Sequence, residues 1–214
     1  MKKIVLLSLI TPITIMTFGQ TNSEIVIPSF NDRYCEYIRN LEAGNTDIDY
    51  QDFRFNFLES EQFKVAGEKS GDLKNLEAEM YRQLKNSDYQ GLTYTAKQTL
   101  SIDYTSMIAH KMLQDAYKTI GDTFNSAKFK TIEFGLLNSI VKKGDGRTCK
   151  TGWPVIQVSE EYFILRMIGA KVEKQSIDNN GGLCDKMVVN INGEQRTYYF
   201  ETSKIFLGYK KRGL

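Results

Sequence analysis

YTSMIAHKMLQDAYKTIGDTFNSAKFKTI, residues 104–132, sets the architecture of this 214-residue chain. Ile108, Met112, Ala116 and Ile120 recur at four-residue spacing and share one helical face, flanked by Ala109, Leu113 and Tyr117. Gly121-Asp122 interrupts the pattern, which then resumes. Working outward, the same periodicity predicts helices at about 72–85, 88–101, 104–119 and 123–142, with breaks at Asn86-Ser87-Asp88, Asp103 and Gly121-Asp122. Connections of so few residues force neighbouring helices to run antiparallel.

Ala116-Tyr117-x-x-Ile120-Gly121-Asp122, with the later Ala127, resembles a tetratricopeptide repeat hairpin. The likeness spans about a third of the chain and keeps the period of about 34 residues only loosely. It implies stacked hairpins with a free concave side.

Upstream, Phe30, Tyr34, Ile38 and Leu41 line a first helix that opens after Pro28 and ends at Gly44-Asn45. Thr46 is the expected N-cap of a second helix, with Asp47 and Asp49 in its first turn and Tyr50, Phe53, Phe57 and Leu58 on its buried side. Residues 59–72 are polar, contain Gly67 and Gly71, and are expected to form a loop. Downstream, Gly144-Asp145-Gly146 is expected to end the last long helix in a left-handed turn. The pattern then becomes strand-like. Ser159 is the expected N-cap of a short helix closed by Gly169, and residues 171–177 suit a strand. Met187, Val189 and Ile191 alternate with polar neighbours, as do Tyr198 and Phe200, and Asn192-Gly193 between them marks a type I′ hairpin. The expected fold is therefore α+β: helical hairpins over residues 20–143, then a small, mostly antiparallel sheet with one helix over 144–214.

Residues 1–19 have the layout of a secretory signal peptide. Lys2-Lys3 precedes the apolar run Ile4–Met16, and Thr17-Phe18-Gly19 puts small residues before a cut at Gln20. The run is shorter than the ~20 residues of a helical membrane span. No membrane insertion is therefore expected of the mature chain, and its expected location is the periplasm or the exterior. Removing Lys2 and Lys3 leaves 26 basic residues against 26 acidic ones, a balance with no field for nucleic acid. In such a compartment the three cysteines suggest one disulfide, Cys149 with Cys184, because each sits in a polar, Gly-containing segment before an apolar run. Cys35 then remains a small buried hydrophobe. Three reduced thiols are the alternative.

The order of segments resembles one family throughout the mature chain. It runs Gly44-Asn45-Thr46, an aromatic-rich helix, hairpins, Gly144-Asp145-Gly146, Val158-Ser159-Glu160-Glu161-Tyr162, Cys184-Asp185-Lys186 and Tyr198-Tyr199-Phe200. That succession is similar to the exported bacterial family called domain of unknown function 4919. Trp153-Pro154 departs from the plainer apolar pair expected there. The resemblance implies no activity, cofactor or site residue.

No H-E-x-x-H, C-x-x-C or G-x-S-x-G occurs, and His110 is the only histidine. It lies past the edge of the apolar arc, where its nitrogens would be wet. Asp47, Asp49 and Asp52 lack the Gly and closing Glu of a calcium loop. No catalytic residue, metal or cofactor is expected. The expected role is recognition of a partner protein or peptide by the hairpins, with Tyr81, His110, Gln114 and Trp153 as binding candidates. A glycan or small-molecule binder with an aromatic pocket is the second reading, and a hydrolase with unidentified carboxylates the third. If export is correct, the intact mass of the native protein will lack residues 1–19; a membrane-bound product retaining them would refute cleavage.

Overall fold

Asp88, Ser106 and Asp122 set the starts of the central helices in the computed structural model, which describes residues 24–211. Each side chain accepts a backbone N–H three residues on, from Gly91, Ala109 and Asn125, which supplies one of the partners a helix start lacks. The helices are α4 (Ser70–Lys85), α5 (Tyr89–Ile102), α6 (Met107–Ile120) and α7 (Thr123–Val141). Gly121 has φ +87°, so the α6–α7 connection at the expected break is a left-handed turn. The third helix begins at Met107 and not at 104 because Ser106, not Asp103, caps it.

Ahead of them, α1 (Arg33–Glu42) buries Tyr34, Ile38, Leu41 and Cys35. Next, α2 (Tyr50–Glu59) buries Phe53 and Phe57, and the Tyr34 ring stacks on Phe53 at 5.3 Å. Asp49, and not Thr46, caps α2, accepting from the Asp52 N–H at 2.9 Å. Tyr50 opens the helix and fits against Gly135 of α7, where an added Cβ would lie 2.3 Å from its ring.

Residues 59–72 are not a loop. They contain α3 (Glu61–Glu68) and the start of α4. Ser60 caps α3 through the Phe63 N–H, and Phe63 and Ala66 turn inward. Burial of two apolar residues one turn apart outweighs the helix cost of Gly67, about 1 kcal/mol.

The Gly144–Gly146 segment also differs from expectation. The α7 helix ends at Lys142 in right-handed conformation. Gly146 does take a left-handed φ of +65°, but beyond the helix end, and both glycines serve close approach: a Cβ on Gly144 would lie 2.3 Å from the Thr151 carbonyl oxygen, and one on Gly146 2.9 Å from the Trp153 ring. A 3-10 turn at Cys149–Thr151 then leads into β1 (Trp153–Pro154).

The sheet has four strands in the order β1-β4-β3-β2, completed by β2 (Lys171–Asp178), β3 (Cys184–Ile191) and β4 (Glu194–Glu201). Only the short β1–β4 pair is parallel; β2–β3 and β3–β4 are antiparallel. Asn192 and Gly193 both have positive φ, 53° and 89°, as a type I′ hairpin requires. The helix α8 (Val158–Met167) packs on the sheet. Its N-cap is Gln157, not Ser159, and Gly169 ends it, with the Gly169 and Ala170 N–H groups donating to Arg166 and Leu165. A second C-terminal helix, α9 (Ser203–Lys211), was not expected. It lies on α3, where a Cβ on Gly208 would meet the Phe63 ring at 2.8 Å.

Both regions share one apolar cluster, which includes Phe53, Leu113 and Leu136 together with Phe163, Met187 and Phe200. The disulfide Cys149–Cys184 is formed and ties the 3-10 turn to β3, while Cys35 is free and buried. The signal-peptide residues 1–19 lie outside the described residues.

Candidate functional site

Helix α8 is placed by a buried ion pair. Arg54 of α2 donates from Nε to Glu160 Oε1 at 2.8 Å and from Nη2 to Oε2 at 2.6 Å, and the two side chains are only 0% and 3% exposed. Nη2 also reaches the Pro154 carbonyl, Nη1 reaches Ser139 Oγ of α7, and the Ile156 N–H donates to Glu160 Oε2. The fork therefore fixes the chain on both sides of Val158.

A second polar link lies beside it. Gln157 Nε2 donates to Asp103 Oδ2 at 2.9 Å and to Thr105 Oγ1 at 3.0 Å. Asp103 Oδ1 accepts from the Thr105 N–H and hydroxyl. Burial raises the Asp103 pKa, opposed by these donors. Because Gln157 is turned to this cluster, no side chain caps the first turn of α8.

That turn projects into a furrow. A cleft of about 440 Å³ lies between α3, α4, α6 and α9, with Phe63, Leu73, Ile108, Ile156, Val158 and Ile205 as its apolar walls. Lys74 and Glu77 also line it. A hollow of about 330 Å³ continues it towards β2 and α9, past Ile177, Asp185 and Phe206. Another, of about 290 Å³, continues it along α8 to Tyr162 and Arg166. Val158 borders all three. Large apolar side chains stand open here: Val158 is 40% exposed, Phe206 44% and Ile177 62%.

Beneath the furrow, both Glu161 carboxylate oxygens are buried. Burial, then the charges of Asp185 and Glu160, push the Glu161 pKa up to about 9. The carboxyl, on the buried side of α8, is neutral at pH 7.

The four residues singled out from the sequence do not come together. His110 is fully buried, not wet: its Nε2 lies 2.8 Å from the Tyr104 carbonyl oxygen, between the Tyr104 and Phe129 rings. Burial lowers its pKa to about 3, so it is neutral. Tyr81 is half-buried on α4, its ring 5.1 Å from the Arg166 guanidinium of α8, and Arg166 also meets Glu77 at 3.4 Å. The C-terminal region thus covers part of the hairpin face expected to be free. Gln114 is half-buried, and its carbonyl accepts from Ser126 Oγ of α7. Trp153 stacks on Tyr198 at 5.3 Å and donates from Nε1 to the Gly144 carbonyl. None of these four borders the furrow. The residues that do border it carried one signal in the sequence, apolar side chains at Val158 and Tyr162 on the polar side of α8.

Among the described residues, no group of three or more His, Cys, Asp or Glu side chains is arranged to hold a metal. No helix among them is long and apolar enough to cross a membrane.

Fold and furrow define an α+β protein whose candidate site is an apolar trough at the junction of a helical layer and a small sheet. The chain belongs to the family described as Domain of unknown function (DUF4919), whose model matches residues 20–211. No curated protein and no solved structure matches it.

The Glu161 pKa has a consequence for stability. A carboxyl whose pKa rises from 4.5 unfolded to about 9 folded contributes fully below pH 4.5. Its contribution falls by about 1.4 kcal/mol per pH unit between the two values. Glu161→Gln should therefore match the native chain near pH 5 and exceed it increasingly from pH 6 to 9, read as urea midpoints. Parallel pH profiles would contradict a buried, neutral Glu161.

Proposed function

We propose that this protein is exported and non-catalytic, and that it binds a polypeptide segment of a partner in the furrow around the first turn of α8. One observation carries this reading: three connected hollows share Val158 and run from α3 to β2 with apolar walls and exposed apolar rims. Open apolar surface of this kind marks interaction sites. A trough that continues past one residue in two directions suits a chain better than a compact ligand. Export is supported by the pattern of residues 1–19 and by the disulfide, since such bonds persist in oxidising compartments.

The binding site differs from the one expected on the hairpins. It uses α3, α4 and α6 as one wall, and α8, β2 and α9 as the other. Tyr81 and Arg166 tie α4 to α8, with Arg166 at the end of the trough.

Selection from a random displayed peptide library on the purified chain tests the proposal. Selected peptides should be rich in apolar residues, and Val158→Glu should weaken them about tenfold or more, the loss of one well-buried apolar contact plus an unpaired charge. The variant's unfolding midpoint should stay close to native, because Val158 is a surface residue. Peptides that bind Val158→Glu unchanged would place the site elsewhere. A glycan or small molecule that raises the melting temperature while no peptide is selected would favour the second reading.

A further inference from the structure

The charged side chains that border the furrow are Lys74, Glu77, Asp103, Arg166 and Asp185. Glu77 and Arg166 meet each other. Asp103 is buried and already accepts from Gln157 and Thr105. Lys74 is exposed and borders only the 440 Å³ cleft. Asp185 differs from all of these. It is half-buried, it is the charged residue of the 330 Å³ hollow, and no Lys or Arg among the described residues lies within ion-pair distance of it.

The cations nearby are turned elsewhere. Lys186, the next residue of β3, falls on the opposite face of the sheet, where it lies over the Tyr199 ring at 5.8 Å. Lys174 registers with Val188 on that same far face. Lys204 of α9 lies over the Phe55 ring at 4.8 Å, and Arg54 is held by Glu160. Asp185 accepts from Gln175 Nε2 at 2.7 Å, and Gln175 Oε1 accepts from the Tyr162 hydroxyl. Behind it stands Glu161. This fully buried side chain has no donor on either oxygen, and its carboxyl reaches Asp185, to which the protonated acid donates. The two acids together hold one negative charge at the foot of the hollow.

The rest of that hollow is largely apolar, with Ile177, Ile205 and Phe206 among its walls. An apolar channel ending on an unpaired carboxylate matches a side chain with a long aliphatic stem and a cationic head. We propose that the hollow is a subsite for a lysine or arginine of the bound segment, its stem between Ile177 and Phe206 and its head on the Asp185 carboxylate. The inference rests on the peptide-binding reading above and names the residue class that the furrow selects.

The probe is a displayed library of random peptides, selected in parallel on the native chain, on Asp185→Asn and on Glu173→Gln. Glu173 is bonded to Gln195 and borders none of the three hollows, so its variant changes net charge without touching the subsite. Native and Glu173→Gln proteins should select peptides in which a basic residue recurs at one position among apolar ones. Asp185→Asn should select apolar peptides without it. Replacing that basic residue by norleucine, which keeps the stem and drops the charge, should weaken binding to the native chain about tenfold or more and to Asp185→Asn far less. The norleucine comparison on the native chain needs no variant, so it reads even if Asp185→Asn unfolds early. Apolar peptides with no recurrent basic residue overturn the inference and leave the furrow reading standing. So does a basic preference that survives Asp185→Asn, or one that Glu173→Gln abolishes equally. Selection of no peptide at all removes both readings together.

Discussion

The buried fork between Arg54 and Glu160 is the constraint on which the rest of the structure depends. A guanidinium and a carboxylate taken out of water each lose several kcal/mol of solvation. They recover it only if every donor and lone pair finds a partner. Here they do so by drawing in Pro154, Ile156 and Ser139. Two helices, α2 and α7, and the chain entering α8 are thereby held at one point.

From that point the furrow follows. With Glu160 turned inward and Gln157 bonded to Asp103 and Thr105, Val158 is left at the surface as the first residue of α8. Opposite it, Leu73 of α4 remains partly uncovered where α8 does not reach, with the buried Phe63 of α3 at the floor. Arg166 closes the far end through Glu77 and Tyr81. The trough is thus a by-product of where polar groups had to be satisfied, and its apolar walls are the parts of the shared core that the junction leaves open.

Much of this fold was legible in the sequence. Four-residue periodicity and short breaks located the four central helices within a few residues, because their faces are buried by neighbours in the chain. Asn192-Gly193 and Gly169 were readable because their backbone conformations admit few residue types. Residues 59–72 were misread since Gly67 and Gly71 look like breakers, while the Phe63 contact with Phe57 that overrides them is tertiary. The α9 helix was missed for a related reason: Gly208 looks unsuitable until Phe63 is seen against it. The site was least legible. His110 sits past the apolar arc in a helical projection, yet α7 supplies a second buried wall through Phe129. Arg54 and Glu160 are 106 positions apart and carry no local mark. The family assignment and the Cys149–Cys184 pair, by contrast, followed from segment order and local setting.

A double-mutant cycle of urea unfolding on Arg54→Met, Glu160→Met and the double variant tests the central claim most directly. Each single substitution strands one buried charge and should cost about 3–5 kcal/mol. The double variant should cost clearly less than the sum, with a coupling of at least about 2 kcal/mol. Additive losses, or singles that unfold like the native chain, would contradict the account that this pair fixes α8 and the furrow around it.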